Sequence, residues 1–397
     1  MHGAMSACEW KMIYLDNSAT TEISAAAKKR MLEAMDIYGN PSSTHKAGIE
    51  ARRIIDEARE RVGAALGVVR PNPENLIFTG SGSEANNTAI LGCVYSKEKR
   101  RGNKIITTDS EHPSVENVMR RLEADGFEVV RIPTRAGKVD EEKFMSALDD
   151  KVLLISMMLV NNETSAVYDL KKLFAVAKRK CPDVVTHCDA VQGFMKVPFT
   201  PKTISADLVS VSAHKIHGPK GVGALYISPE IIKQKKIIPY IIGGGQENGY
   251  RSGTENIVGI AGFGAAADEA KRNISASVAK TAALRDLCER AVIEAGATPT
   301  VPEGARAPHV LSIRLPDIKS ETMLNYLSGK GICVSAGSAC SAHSRNMSST
   351  LLAFGLSERE ADCTLRISFS EYNSEEEINS FKEALADGIG SLVRIKH

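Results

Sequence analysis

No apolar run in this sequence reaches the roughly 18 residues that a membrane span needs. Its first eleven residues also lack a basic segment followed by an apolar one, so no secretion signal is read there. Patterned sequence begins only near Met12, and a cytoplasmic protein is the expectation. An excess of one charge is missing too. Fifty basic residues against 48 acidic ones leave a net charge of +2, which gives no broad attraction to nucleic acid or to an anionic membrane. The eight cysteines form no C-x-x-C pair, which argues against a disulfide framework and a structural zinc site. Cys181, His187 and Cys188 cluster locally, but no second ligand pair stands at finger spacing, and no metal is expected. Tandem repeats and low-complexity tracts are also absent.

What remains is an ordinary globular composition, 43% hydrophobic and 25% charged over 397 residues. That length suffices for one large core and a second, smaller one. Short apolar runs at 76–79, 104–108, 128–132, 152–157, 184–188, 208–212 and 222–227 read as buried strands. Helical patterns at 83–95, 113–125, 141–148 and 171–180 lie between them, and two more, at 24–38 and 46–66, precede them. Such alternation predicts an α/β domain: a mostly parallel, seven-stranded sheet covered by helices. After residue 255 the pattern changes. A helical stretch at 256–295, softly broken near Asn273, is followed by strands at 309–315, 332–334 and 365–369. A final helix at 374–393 opens on Ser374-Glu375-Glu376-Glu377, which suits the helix dipole. The expectation is a large domain over 12–255 and a smaller α+β domain over 256–397.

Three motifs carry chemistry. Ser212-Ala213-His214-Lys215 follows a predicted strand and precedes a Gly/Pro-rich turn. A lysine there, beside another cation-capable group, is a candidate amine nucleophile, because burial and nearby charge depress its pKa. A surface lysine in a turn is the ordinary alternative. Gly80-Ser81-Gly82-Ser83 joins a strand to a helix, where backbone N–H groups and the helix N-terminus favour an anion. The spacing also fits a degenerate dinucleotide fingerprint, but the crowding hydroxyls suit a single phosphate better. Asp189, in Cys188-Asp189-Ala190-Val191-Gln192, ends another predicted strand, where a parallel sheet binds its ligands. A helix N-cap is the alternative for Asp189. Phosphate cup, carboxylate and amine together are what pyridoxal phosphate requires.

Chain-wide, the sequence resembles the cysteine desulfurases, in the class V branch of the fold-type I pyridoxal-phosphate enzymes. The resemblance is carried by Tyr14-Leu15-Asp16-Asn17-Ser18-Ala19-Thr20-Thr21, Gly39-Asn40-Pro41-Ser42-Ser43, the Gly80 motif, Glu111-His112 and Asn161-Asn162-Glu163. The Asp189 and Lys215 segments, Arg251-Ser252-Gly253-Thr254 and Gly337-Ser338-Ala339-Cys340 complete it, in the family's order. It implies that pyridoxal 5'-phosphate is held covalently by Lys215, with His112 stacked on its ring and Asp189 at the pyridinium nitrogen. Gln192 and Asn162 would meet the ring oxygen or the substrate. Gly82, Ser83, Ser212 and His214 would bind the phosphate, joined by Thr254 from the partner of a homodimer. Arg366 would clamp the carboxylate of L-cysteine, a task suited to its planar fork. Cys340, on a Gly/Ser-rich loop of the long type, would take the sulfur as a persulfide and pass it to an iron–sulfur scaffold or another acceptor protein. His112 would move protons between the thiols.

The sequence departs from the family at Ser165, where Gly is usual, and at Tyr168, where Gln is. Ser370-Glu371 replaces a common Gly-Arg pair, and His343 and Arg345 stand in the loop after Cys340. None touches the implied cofactor set; partner choice and loop behaviour are where they bear. The rival readings are a selenocysteine lyase or another class V aminotransferase, a non-catalytic scaffold for sulfur acceptors, and, more distantly, a nicotinamide dehydrogenase.

Overall fold

The computed structural model describes residues 12–96, 102–336 and 348–395. Its centre is a seven-stranded sheet: β1 Leu76–Thr79, β2 Lys104–Thr108, β3 Glu128–Ile132, β4 Val152–Met158, β5 Val185–Asp189, β6 Leu208–Ser212 and β7 Gly223–Ile227. Their order across the sheet is β1-β7-β6-β5-β4-β2-β3, antiparallel on both sides of β7 and parallel elsewhere. The strands other than the edge strand β3 are buried because both faces are covered. Ile77 packs into one hydrophobic cluster while its neighbours Leu76 and Phe78 pack into another, the two-residue alternation of a strand. Phe263, fully buried, meets Phe78 and Phe194 edge-on at 6.3 and 6.4 Å. Aromatic pairs of this geometry add about 0.5–1.5 kcal/mol to the burial of their surface.

Topology sets the functional edge. Met158 pairs with Asp189 at the C-terminal ends of two parallel strands, and Ser212 ends the next. Thr79 and Ser212 both pair with Gly223, so the turn after β1 opens on that same edge. Ligands of open α/β sheets bind outside the carboxyl ends of the strands.

A third hydrophobic cluster joins Leu15 to Leu284, Ile313, Leu365, Ile367 and Phe381. It covers a four-stranded antiparallel sheet ordered Ser335–Ala336, Thr364–Ser368, Val310–Arg314, Thr298–Thr300. The expected break near Asn273 does not occur: one helix runs unbroken over Ile257–Glu294. Asn273 points into solvent, where its side chain does not compete for backbone hydrogen bonds, and its propensity cost is only about 0.7 kcal/mol. The last helix, Glu375–Ser391, starts on a capping box between Ser374 and Glu377. Among the described residues no helix is long and apolar enough to cross a membrane.

Candidate active site

A cavity of about 340 Å³ opens at the functional edge, within the size range of small-molecule sites. Lys215, Asp189, Gln192, Asn162, His112 and Arg366 all line it, as do Gly82, Ser83, Ser212 and His214. Thr254 does not; it is exposed and lies outside the cavity of its own chain. Cys340 falls outside the described residues.

Lys215 stands in a short 3-10 turn directly after β6, and its Nζ donates to the carbonyl oxygens of Ser18 (2.5 Å) and Ala19 (2.9 Å). Asp189 closes β5 and is buried. One oxygen accepts from Asn86 Nδ2 at 2.7 Å, the other from the backbone N–H of Val191 at 3.0 Å. That second bond belongs to the turn after β5, so the N-cap alternative for Asp189 falls away.

His112 caps the helix Pro113–Ala124, its Nδ1 accepting from the backbone N–H of Ser114 at 3.1 Å. An acceptor Nδ1 leaves the proton of a neutral imidazole on Nε2. Burial, the larger effect, lowers the His112 pKa and outweighs the nearby Asp189 carboxylate; the Lys215 charge lowers it further. His214, with Nδ1 3.2 Å from Thr20 Oγ1, is pushed down to about 4 by burial and then by Lys215. Beside His112, the buried Glu111 is pushed up to about 8, first by burial. It accepts from Thr108 Oγ1 and the Met158 N–H through one oxygen.

Arg366 lies buried on Thr364–Ser368. Its Nη2 donates to Asp16 at 2.9 Å and its Nη1 to the Asn162 carbonyl at 3.2 Å. Gln192 donates to the Ser18 carbonyl at 2.9 Å, and its Oε1 stands 3.3 Å from His309 Nε2.

Four buried polar atoms on this cavity have no hydrogen-bond partner: Ser18 Oγ, Asn86 Oδ1, Ser212 Oγ and Arg366 Nε. Buried polar groups are nearly always paired, so the residues around this cavity keep unspent hydrogen-bonding capacity, which fits a polar ligand. Gly82 makes room for one. A Cβ there would come within 2.7 Å of Val191 Cγ2 and 3.3 Å of Ser212 Cβ. Ser81 spends its hydroxyl capping the helix Gly82–Val94, which leaves Ser83 and Ser212 for an anion at that helix N-terminus.

Sequence reasoning missed Asn86, Ser114, Ser18 and Ser335, which also line the cavity. Asn86 had a local signal: it sits one helical turn beyond Gly82, on the face that meets β5. Cys333 is only partly buried, because its two-residue strand pairs with Ile13–Tyr14 alone. Cys93, Cys181, Cys188, Cys288 and Cys363 are buried. Among the described residues no group of three or more His, Cys, Asp or Glu is placed to hold a metal ion.

Residues 13–381 match the aminotransferase class-V family. A cysteine desulfurase of Nostoc sp. is 34% identical over 96% of this chain and 94% of its own length. The cysteine desulfurase IscS of Clostridium botulinum is 38% identical over 94% of each. Among solved structures, a NifS-like protein superposes with a TM-score of 0.89 at 35% identity, covering 96% of this chain and all of that one. Another, SspA in complex with cysteine, gives a TM-score of 0.78 at 31% identity, over 91% and 99%. The chain belongs to the cysteine desulfurases of the aminotransferase class-V family.

Proposed function

We propose that this enzyme binds pyridoxal 5'-phosphate and L-cysteine in the cavity at the strand ends, and releases L-alanine after moving the sulfur to Cys340. The observation that carries this reading is the convergence of an amine, a carboxylate and four orphaned polar atoms on one cavity. Lys215 would hold the cofactor through its amine, Asp189 would face the ring nitrogen, and His112 would cover the ring. Gly82, Ser83, Ser212 and His214 would hold the phosphate, with Thr254 of a second copy of the chain closing it. When bound, the cofactor supplies an electron sink for bond breaking next to the amino group.

The residues then divide the work. Arg366, fixed by Asp16 and the Asn162 carbonyl, presents its remaining edge to the substrate carboxylate. Lys215, with its amine free, would take the Cα proton and return it. His112, uncharged near neutrality with its proton on Nε2, exchanges protons at the thiol. The balance is L-cysteine plus the Cys340 thiol giving L-alanine plus the Cys340 persulfide: the Cβ–S bond breaks, an S–S bond forms, and the β-carbon gains the hydrogen. An acceptor protein or a reductant then clears the sulfur.

The test is production of alanine and sulfide from cysteine with added reductant. Wild-type protein loaded with pyridoxal phosphate produces both in equal amounts, and Lys215→Ala produces neither. Alanine-free turnover, or full activity in Lys215→Ala, would sink the reading.

A further inference from the structure

Three of the described helices open on a serine followed three residues later by a glutamate: Ser81 and Glu84, Ser357 and Glu360, Ser374 and Glu377. This is the pattern of the capping box, in which the serine hydroxyl takes the glutamate N–H and the carboxylate takes the serine N–H. The last two boxes close. Glu360 accepts from the Ser357 N–H at 2.9 Å, and Glu377 from the Ser374 N–H at 3.2 Å. The first stays open. Ser81 Oγ accepts from the Glu84 N–H at 3.0 Å, but the carboxylate passes over Ser81 and accepts from the Gly80 N–H at 2.9 Å.

The cause lies in a distant segment. Arg251 grips Glu84 with two donors, Nε to Oε1 at 2.7 Å and Nη2 to Oε2 at 3.3 Å. Its own backbone is held by a parallel bridge to Ile241, whose carbonyl accepts from the Ser252 N–H at 3.1 Å. Four residues earlier the buried Glu247 accepts from Arg59 through both oxygens, at 2.7 and 2.8 Å, and from the Phe78 N–H at 2.8 Å. That ties the segment to β1, the strand that leads into the Gly80 turn. Gly80 itself leaves the room needed, since a Cβ there would stand 2.7 Å from Glu84 Oε2.

The helix left open is the one at the cavity. Ser81, Gly82 and Ser83 line it, as does Ser212 with its buried, unpartnered hydroxyl; Glu84 and Arg251 do not. A carboxylate in the closed position would take the Ser81 N–H and set its charge at the helix end that favours an anion.

We propose that Arg251 and Glu84 are positioning residues for the cofactor phosphate: Arg251 holds this capping box open, so that the first N–H groups of the helix serve the phosphate and not the chain's own carboxylate. The inference rests on the reading of the cavity as the pyridoxal phosphate site. A phosphate carries close to two negative charges near neutrality, so a carboxylate released into the same turn competes for its donors and repels it. Pyridoxal, which lacks the phosphate, is indifferent to both effects.

The experiment is equilibrium dialysis of the full chain, freed of cofactor, against pyridoxal phosphate and separately against pyridoxal. In Arg251→Gln the affinity for pyridoxal phosphate is expected to fall about tenfold, while that for pyridoxal moves by less than about twofold. Removing the competitor restores binding. Arg251→Gln combined with Glu84→Ala holds pyridoxal phosphate within about threefold of wild type, and so does Glu84→Ala alone. An ion pair that only braces the fold gives a different pattern: Glu84→Ala loses as much as Arg251→Gln, and the double variant is no better. That pattern, or an unmoved ratio of the two affinities in Arg251→Gln, overturns the proposal. Should Arg251→Gln fail to fold, Glu84→Ala decides alone, and a tenfold loss of pyridoxal phosphate there sinks the idea. Wild-type protein that binds no pyridoxal phosphate defeats the proposed function; wild-type binding with an unmoved ratio in Arg251→Gln defeats this inference alone.

Discussion

Asn86 donates to Asp189 across 2.7 Å, from a helix to the end of a strand 103 residues later. The same amide group reaches Ser114 Oγ at 2.9 Å, and Ser114 in turn serves His112. One side chain therefore holds the Asp189 carboxylate and, through Ser114, steadies the His112 imidazole, both of which line the cavity.

Asn86→Ala breaks this link without touching Lys215. Loss of a hydrogen bond to a buried charge costs about 1.5–3 kcal/mol, so retention of pyridoxal phosphate is expected to weaken at least tenfold. Equilibrium dialysis of the cofactor measures it. Asn86→Asp, which places a second carboxylate against Asp189, should be worse than the alanine variant.

Glu111 gives a pH signature. Its folded-state value, raised to about 8 from the usual 4.5, means that the folded chain binds a proton which the unfolded chain has lost between those values. Stability from this group is present below about 4.5 and falls as pH rises toward 8. Glu111→Gln keeps the acceptor for Thr108 and Met158 and removes the titration. The variant should gain about 1–2 kcal/mol over wild type at alkaline pH and nothing in acid. Thermal melts across that range check the sign.

Ser165 sits at φ 66° in the turn that Asn161 holds by accepting the N–H groups of Glu163 and Thr164. Left-handed backbone costs a non-glycine residue about 1–2 kcal/mol, partly offset by the greater freedom of an unfolded glycine. Ser165→Gly should stabilise the fold by about 0.5–1 kcal/mol with unchanged activity. Denaturant midpoints measure it.

Much of this site is legible in the sequence because its chemistry stands at strand ends. Apolar runs mark β1 to β7 to within a residue or so, and Asp189, Ser212 and Lys215 follow from where those runs stop. The Asn86–Asp189 contact is not legible, since nothing local in either segment says that two positions so far apart meet. Asn273 reads as a weak point only because propensity says little about a helix held at both ends by packing. Tyr168, a departure from the family pattern, fills a buried position with its hydroxyl 2.8 Å from Ser110 Oγ. Its effect there is structural.

Arg366→Lys separates binding from chemistry. A lysine cannot satisfy Asp16, the Asn162 carbonyl and a substrate carboxylate together. The Michaelis constant for cysteine should rise at least tenfold, with a smaller change in turnover. Steady-state kinetics with cysteine test this, and an unchanged Michaelis constant would place the carboxylate elsewhere.

The most direct test of the sulfur-transfer account is to map the persulfide after the loaded enzyme meets cysteine without reductant. The account predicts one extra sulfur atom on the peptide bearing Cys340, none there in Cys340→Ser, and none anywhere in Lys215→Ala, while Cys340→Ser still binds pyridoxal phosphate. A persulfide on Cys333, Cys188 or Cys363, or near-normal sulfide release by Cys340→Ser, would contradict it.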